Sequence, residues 1–159
     1  MNNIVLIGMR GVGKSTWGLF LAEKLGRLYF DTDQILCANY GQKISEIYRR
    51  LGEGAFREKE LEILKSLQGV SESIISVGGG AVVTAKGRQV LQTLGDLICL
   101  HLEKDKLLER WEQMPQYAPM GDSFEECYEQ RMDYQRMLSA RWVDPSDEAW
   151  VEEVLKQYG

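Results

Sequence analysis

Short apolar runs alternate along this chain with longer segments in which apolar residues recur every three or four positions. The runs predict five strands, at 4–7, 28–30, 73–77, 97–101 and 142–143. The segments between them predict helices at 15–25, 34–40, 44–51, 55–67, 85–94, 104–111, 124–140 and 146–157. Strands that alternate with helices pair in parallel through right-handed crossovers. The pattern therefore predicts an α/β fold, a five-stranded parallel sheet flanked by helices on both faces.

Length and composition narrow the class of protein. The 159 residues suffice for a full core, and we expect a single domain over 1–159. A net charge of −5 gives no electrostatic reason to expect a nucleic-acid partner, and no apolar stretch approaches the length of a membrane span. Widely spaced cysteines and a single histidine predict reduced thiols in a cytoplasmic protein, with neither disulfides nor a zinc site.

The first apolar run leads directly into the motif G-x-x-x-x-G-K-S, which binds nucleotide phosphates. Gly11 and Gly13 lack a Cβ, so their backbone N–H groups can approach phosphate oxygens closely. Lys14 brings a positive charge to the outer phosphates and is a predicted catalytic residue. Ser15 offers a hydroxyl to Mg²⁺, the predicted cofactor. The predicted nucleotide-binding residues here are Gly11, Val12, Gly13, Lys14, Ser15 and Thr16.

A phosphate loop is shared by GTPases, ATPases and small-molecule kinases, so the rest of the chain must decide between them. The sequence has no N-K-x-D motif and no Asp followed three residues later by Gly, which argues against a GTPase. Polar residues and glycines suited to a second ligand occur at Asp31, Asp33, Arg57, 78–80, Arg131 and Arg136. At the open edge of a parallel sheet, such residues favour a small polar acceptor beside the phosphates.

Three of these segments make the chain resemble the shikimate kinase family over nearly its whole length. They are D-T-D at 31–33, G-E-x-x-F-R-x-x-E at 52–60 and G-G-G at 78–80. The resemblance implies a P-loop kinase fold of the nucleoside-monophosphate-kinase type, with a short mobile lid at about 113–123 and a substrate-binding helical region at about 33–60. It also implies transfer of the γ-phosphate of ATP to the 3-hydroxyl of shikimate, and we expect a monomer.

The resemblance implies roles for individual residues on the acceptor side. Asp33 would accept hydrogen bonds from shikimate hydroxyls and could take the proton of the attacking one, so it is a predicted catalytic residue. Arg57 and Arg136 would bind the shikimate carboxylate through their guanidinium groups. The predicted backbone contacts to shikimate come from Gly78, Gly79 and Gly80.

On the nucleotide side, the resemblance implies that Asp31 holds Mg²⁺ through a water molecule while Ser15 binds it directly. Arg110 matches the family's arginine beside the adenine. Two stretches depart from the family pattern: Tyr117-Ala118-Pro119-Met120 lacks the lid arginine, and Asp144-Pro145-Ser146-Asp147 lacks a basic residue. We therefore expect either slow turnover or that Arg10 or Arg110 covers the charge of the phosphoryl group. We also expect Ala118→Arg to raise kcat.

Simpler interpretations stay open at this point. Asp31 can be only a helix cap, and 78–80 only a tight turn. Arg57 and Glu60 can be a solvated pair, and Arg131 can be surface charge. Two other functions also stay open: a gluconate-type kinase of the same fold, and a catalytically weak nucleotide-binding regulatory domain.

Overall fold

The computed structural model describes residues 2–114 and 123–159. Its strands are β1 (Ile4–Gly8), β2 (Leu28–Asp31), β3 (Ser73–Ser76), β4 (Asp96–Leu100) and β5 (Ala140–Val143). Its helices are α1 (Lys14–Leu25), α2 (Thr32–Tyr40), α3 (Ile44–Leu51), α4 (Glu53–Ser66), α5 (Ala85–Leu94), α6 (Lys104–Glu112), α7 (Phe124–Arg136) and α8 (Ala149–Tyr158). A 3₁₀ turn, Leu67–Gly69, follows α4.

The five strands form one sheet in the order β2-β3-β1-β4-β5, and every pairing is parallel. The predicted fold class is thereby confirmed. β1 lies at the centre and is buried along its whole length, which is why its sequence is uniformly apolar. Alternate residues of β1 point to opposite faces, so Leu6 belongs to one core and Ile7 to the other.

Helices cover both faces of the sheet. The face that includes Leu6 packs against α1, α6, α7 and α8, and the face that includes Ile7 packs against α4 and α5. A smaller apolar cluster joins α2, α3 and α4 around the buried Ile47 and Phe56. This cluster fixes the helical region that the sequence predicted for substrate binding.

The predicted boundaries differ from the structure mainly near the end of the chain. We expected a helix at 124–140 and a two-residue strand, whereas α7 ends at Arg136 and β5 begins at Ala140. Ala140 pairs with Leu97 of β4, so tertiary pairing overrides the helical preference of this stretch. Across residues 2–114 and 123–159, no helix is both long and apolar enough to cross a bilayer.

The register of the sheet brings two strand ends together at its carboxyl edge. Asp31 at the end of β2 lies opposite Ser76 at the end of β3. The backbone N–H of Gly78, just beyond β3, donates to Thr32 Oγ1 at 2.9 Å. The segments that follow β1, β2 and β3 therefore meet at one edge, where ligands bind in open α/β sheets.

Candidate active site

The phosphate loop connects β1 to α1 and leaves the first turn of that helix uncapped by any side chain. Gly13 occupies the N-cap position with φ 110°, a backbone conformation that favours glycine. Gly8 begins the loop, and a Cβ there would lie 2.6 Å from the carbonyl oxygen of Leu100. The free N–H groups at the start of α1 and the positive end of its dipole make this a site for an anion.

Lys14 lies over this loop. Its Nζ donates to the carbonyl oxygens of Gly8 at 2.7 Å and Met9 at 3.0 Å. Burial lowers the pKa of Lys14 to about 8. A bound triphosphate would supply negative charge and favour the ammonium form.

Asp31 serves two partners with its two carboxylate oxygens. Oδ1 accepts from the backbone N–H groups of Asp33 at 3.0 Å and Gln34 at 3.2 Å, and so caps α2. Oδ2 accepts from Ser15 Oγ at 2.9 Å and from Tyr29 Oη at 3.2 Å. The capping interpretation is confirmed but incomplete, because the second oxygen lies at the phosphate loop.

The Ser15–Asp31 pair fits a magnesium ion by the chemistry of its donors. A hydroxyl and a carboxylate are hard oxygen ligands, and Mg²⁺ commonly binds through one or two such groups, with phosphates and water completing the octahedron. In the described parts of the chain, no group of three or more His, Cys, Asp or Glu could hold a metal by itself. Phosphate ligands would therefore be needed to complete this site.

Asp33 lies in the first turn of α2 and is half-buried beside the glycine turn. A Cβ on Gly78 would collide with Asp33 Oδ1. Burial raises the pKa of Asp33, while Arg10, Lys14 and Arg57 act in the opposite direction. The carboxylate thus lies among the cations of both the phosphate loop and α4.

The three glycines that follow β3 each lie against a different part of the site. Gly78 faces Asp33, as described above, and a Cβ on Gly79 would lie 3.2 Å from the backbone nitrogen of Arg10. A Cβ on Gly80 would be 2.7 Å from Arg57 Cζ. Such distances are well inside van der Waals contact. The turn therefore also provides space for site residues, so the simpler turn interpretation is incomplete.

Arg57 and Glu60 form a buried ion pair on α4. Arg57 Nη1 lies 3.1 Å from Glu60 Oε1, and the two side chains are 8% and 7% exposed. The solvated-pair interpretation is therefore wrong. Burial raises the pKa of Glu60 to about 7, against the opposing charge of Arg57. Arg57 Nε is buried and has no hydrogen-bond partner among the described residues, so it can donate to a ligand.

The two arginines of α7 are placed differently from our prediction. Arg131 is 7% exposed, hydrogen bonds to Gln130, and lies close enough to Glu60 for its charge to lower the pKa of that carboxyl. The side chain of Arg136 is 65% exposed and pairs with Asp133 at 3.5 Å. The structure thus brings Arg131, not Arg136, to the Arg57–Glu60 pair.

Helix geometry explains this difference. Five residues along an α-helix correspond to a rotation of about 140° away from the starting direction, so Arg131 and Arg136 cannot share a face. Phe124, Cys127, Arg131 and Gln135 are buried at helical spacing. This periodicity was visible in the sequence and would have selected Arg131. The surface-charge interpretation of Arg131 is wrong.

A cavity of about 450 Å³ joins the phosphate loop to these strand ends. Its lining includes Arg10, Lys14, Asp31, Asp33, Gly79 and Arg110. Arg110 Nη1 donates to the carbonyl oxygen of Gly11 at 2.9 Å, which places it at the rim of the loop. Arg10, which our sequence prediction considered only as a substitute cation, belongs to the lining. Residues 115–122 of the expected lid, with Ala118, lie outside the described residues.

Sequence comparisons with known proteins identify a family for this chain. The sequence model of the family described as shikimate kinase matches residues 10–157. A shikimate kinase of Syntrophus aciditrophicus is 31% identical over 98% of this chain and 90% of its own length. One of Geobacter sulfurreducens is 41% identical over 108 residues, which span 68% of this chain and 60% of that protein.

A solved structure of similar shape extends the comparison. It is the shikimate kinase from Acinetobacter baumannii in complex with shikimate, with a TM-score of 0.82 and 24% identity. The match covers 99% of this chain and 90% of that one. At this identity the likeness concerns the fold, and it includes the described sheet and helices.

Proposed function

Because the chain belongs to the shikimate kinase family, we propose that it transfers the γ-phosphoryl group of ATP to the 3-hydroxyl of shikimate. The observation that carries the proposal is the position of Asp33. Its half-buried carboxylate lines the cavity with Arg10 and Lys14 of the phosphate loop, and the charge of Arg57 on α4 also acts on it. An acceptor with hydroxyls at one end and a carboxylate at the other fits this arrangement.

The phosphate loop would bind the triphosphate through the backbone N–H groups at Gly11, Val12, Gly13, Lys14, Ser15 and Thr16. Lys14 would exchange the carbonyl oxygens of Gly8 and Met9 for phosphate oxygens. Arg110 would lie beside the nucleoside from its position at the rim of the loop. Mg²⁺, bound by Ser15 and through water by Asp31, would neutralise charge on the outer phosphates.

The acceptor would be held at two ends. Arg57, through its unpaired Nε, and Arg131 would bind the carboxylate. The turn Gly78, Gly79 and Gly80 would present its backbone to the ring where side chains would block it. Arg131 replaces Arg136 in this assignment, since the Arg136 side chain is exposed.

Asp33 would act on the attacking hydroxyl. It would accept that hydroxyl's hydrogen bond and take its proton as the oxygen forms a bond to the γ-phosphorus. The bond between this phosphorus and the β,γ-bridging oxygen breaks, and its electron pair leaves with ADP. Burial raises the pKa of Asp33, which makes it a better proton acceptor than an exposed aspartate.

Domain organisation, oligomeric state and cellular location belong to the same proposal. We propose that residues 1–159 act as one kinase domain and that the protein is a cytoplasmic monomer. Cys37, Cys99 and Cys127 are free thiols, which is compatible with the proposed location. Size-exclusion chromatography with light scattering tests the monomer, and cell fractionation tests the location.

A substrate panel with coupled detection of ADP tests the function. We expect ADP release that depends on shikimate, and none above background with gluconate or without an acceptor. Lys14→Ala and Asp33→Asn should each remove the shikimate-dependent rate, by at least about 1,000-fold. ADP release with gluconate in place of shikimate would favour the sugar-acid kinase. No transfer to any acceptor, with retained nucleotide binding, would favour the regulatory domain.

A further inference from the structure

The phosphoryl group carries negative charge during transfer, and the site must balance that charge. One segment of the chain, residues 111–130, has no cationic side chain. Residues 111–130 contain no Lys or Arg, whereas they include the acids Glu112, Asp122, Glu125, Glu126 and Glu129. This segment therefore offers no side-chain cation to any part of the site. The described cavity lining does contain cations, among them Arg10 and Lys14, which can balance this charge together with the proposed Mg²⁺.

Several arginines near the cavity are bound at its periphery. Arg110 donates to Gly11 at the rim of the loop. Arg57 pairs with Glu60 on α4, and Arg131 hydrogen bonds to Gln130 on α7. In the proposed reaction, Arg110 would lie beside the nucleoside, and Arg57 and Arg131 would bind the acceptor carboxylate.

Arg10 has a different position. It lies in the phosphate loop between β1 and α1 and lines the cavity together with Lys14 and Asp33. Its backbone lies close to the glycine turn, since a Cβ on Gly79 would lie 3.2 Å from the nitrogen of Arg10. Its charge acts on both neighbours: among the cations that oppose the effect of burial on the pKa of Asp33, Arg10 ranks before Lys14 and Arg57. It also helps to lower the pKa of Lys14. Arg10 thus lines the same cavity as the phosphate cradle and the proposed proton acceptor, and its charge acts on both.

We propose that Arg10 is a catalytic residue whose guanidinium contacts the γ-phosphoryl group as it passes from ATP to the acceptor. The inference rests on the proposed function. A planar guanidinium can bind two equatorial oxygens of the phosphoryl group at once. This contact strengthens as charge develops on those oxygens, so it acts on kcat more than on ground-state binding.

Kinetics of Arg10→Ala and Arg10→Lys test the proposal, with Lys86→Ala as a control that removes an exposed cation on α5. We expect Arg10→Ala to lower kcat by at least about 100-fold while the KM for shikimate changes less than about threefold. Arg10→Lys should recover part of the loss, and Lys86→Ala should match the parent. A kcat for Arg10→Ala within about threefold of the parent would overturn the proposal.

A binding experiment separates a contact to the phosphoryl group from a change in loop folding. MgADP with aluminium fluoride imitates the planar phosphoryl group of the transition state. The affinity of the protein for this complex is compared with its affinity for MgADP alone. Arg10→Ala should weaken the fluoride complex by at least about 30-fold and MgADP by less than about threefold. Equal weakening of both, or of neither, would overturn the proposal.

The affinity for MgADP with aluminium fluoride is measured with and without shikimate. Because this is a binding measurement, the test of Arg10 does not need turnover. A parent that binds the complex but never phosphorylates shikimate would contradict the proposed function, and the Arg10→Ala comparison would still decide the role of Arg10.

Discussion

Arg57 Nη1 lies 3.1 Å from Glu60 Oε1 in a part of α4 from which water is nearly excluded. Burial raises the pKa of Glu60 to about 7, so the charge of this pair changes within the physiological range. Above that pH the carboxylate neutralises Arg57. Below it, Arg57 and Arg131 are left with an excess of positive charge.

We predict that shikimate binds more tightly at pH 6 than at pH 8, by up to about tenfold. Protonation of Glu60 removes one negative charge beside the proposed site of the acceptor carboxylate. Calorimetry in buffers of different ionisation enthalpy should also detect proton uptake on binding near pH 7. Glu60→Gln should abolish both effects, and their persistence in that variant would assign them to another group.

The same pair makes the stability of the fold depend on pH in the same direction as the predicted shikimate affinity. The pKa of Glu60 rises from 4.5, its ordinary value, to about 7 in the folded protein, so the folded state holds this proton more tightly than the unfolded chain does. Its contribution to the free energy of unfolding is therefore complete below pH 4.5 and is lost as the pH rises towards 7. Urea unfolding across this range should show the decline in the parent and a flatter profile in Glu60→Gln. Parallel profiles would contradict the assignment.

The arginines of α7 form a matched pair of variants. Arg131→Ala should raise the KM for shikimate by at least about tenfold, because it removes a buried cation of the proposed acceptor site. Arg136→Ala should leave the KM within about twofold of the parent, since it removes an exposed side chain. Steady-state kinetics with saturating ATP measures both. The reverse ranking would restore the original assignment of Arg136.

Gly80→Ala tests the space that the glycine turn provides. A Cβ there would lie 2.7 Å from Arg57 Cζ, so the guanidinium must move. We expect the KM for shikimate to rise by at least about tenfold with little change in the KM for ATP. Gly54→Ala on α4 is the control, because nothing lies within 4 Å of its Cβ position and alanine favours a helix. Equal kinetics for the two variants would contradict the proposed contact.

Asp31 allows its capping role to be separated from its proposed metal role. Asp31→Asn keeps a capping oxygen but loses the charge, so we expect near-parental thermal stability and a higher Mg²⁺ concentration for half-maximal rate. Asp31→Ala should lose about 1 kcal/mol of stability as well. Magnesium titrations of the initial rate, with thermal unfolding in parallel, distinguish the two. An unchanged magnesium dependence in both variants would exclude the metal role.

The parts of the fold and site that the sequence predicted well depend on local chemistry. The phosphate loop is a continuous segment whose residue types require one backbone shape, and β1 is apolar because both its faces are buried. The alternation of strands and helices was sufficient to predict a parallel sheet. The pairing of Ala140 with β4 depends on residues more than forty positions away in sequence, so the end of α7 was misplaced.

The burial of a side chain was harder to predict from the sequence than the motif to which it belongs. Arg57 and Glu60 have the same spacing as a pair on an exposed helix face, and only the packing of α4 makes them a buried pair. Arg131 was undervalued because we matched spacing to the last strand instead of following the buried positions of α7. Arg10 was considered only as a substitute cation because a phosphate-loop motif does not specify the residue at that position.

The most direct test of the central claim follows the γ-phosphorus itself. ³¹P NMR of purified protein with MgATP and shikimate should show a phosphate monoester that grows in step with ADP, with inorganic phosphate a minor product. Omission of shikimate, or the Lys14→Ala substitution, should stop the loss of ATP. Inorganic phosphate as the sole product, at a rate indifferent to shikimate, would contradict the account.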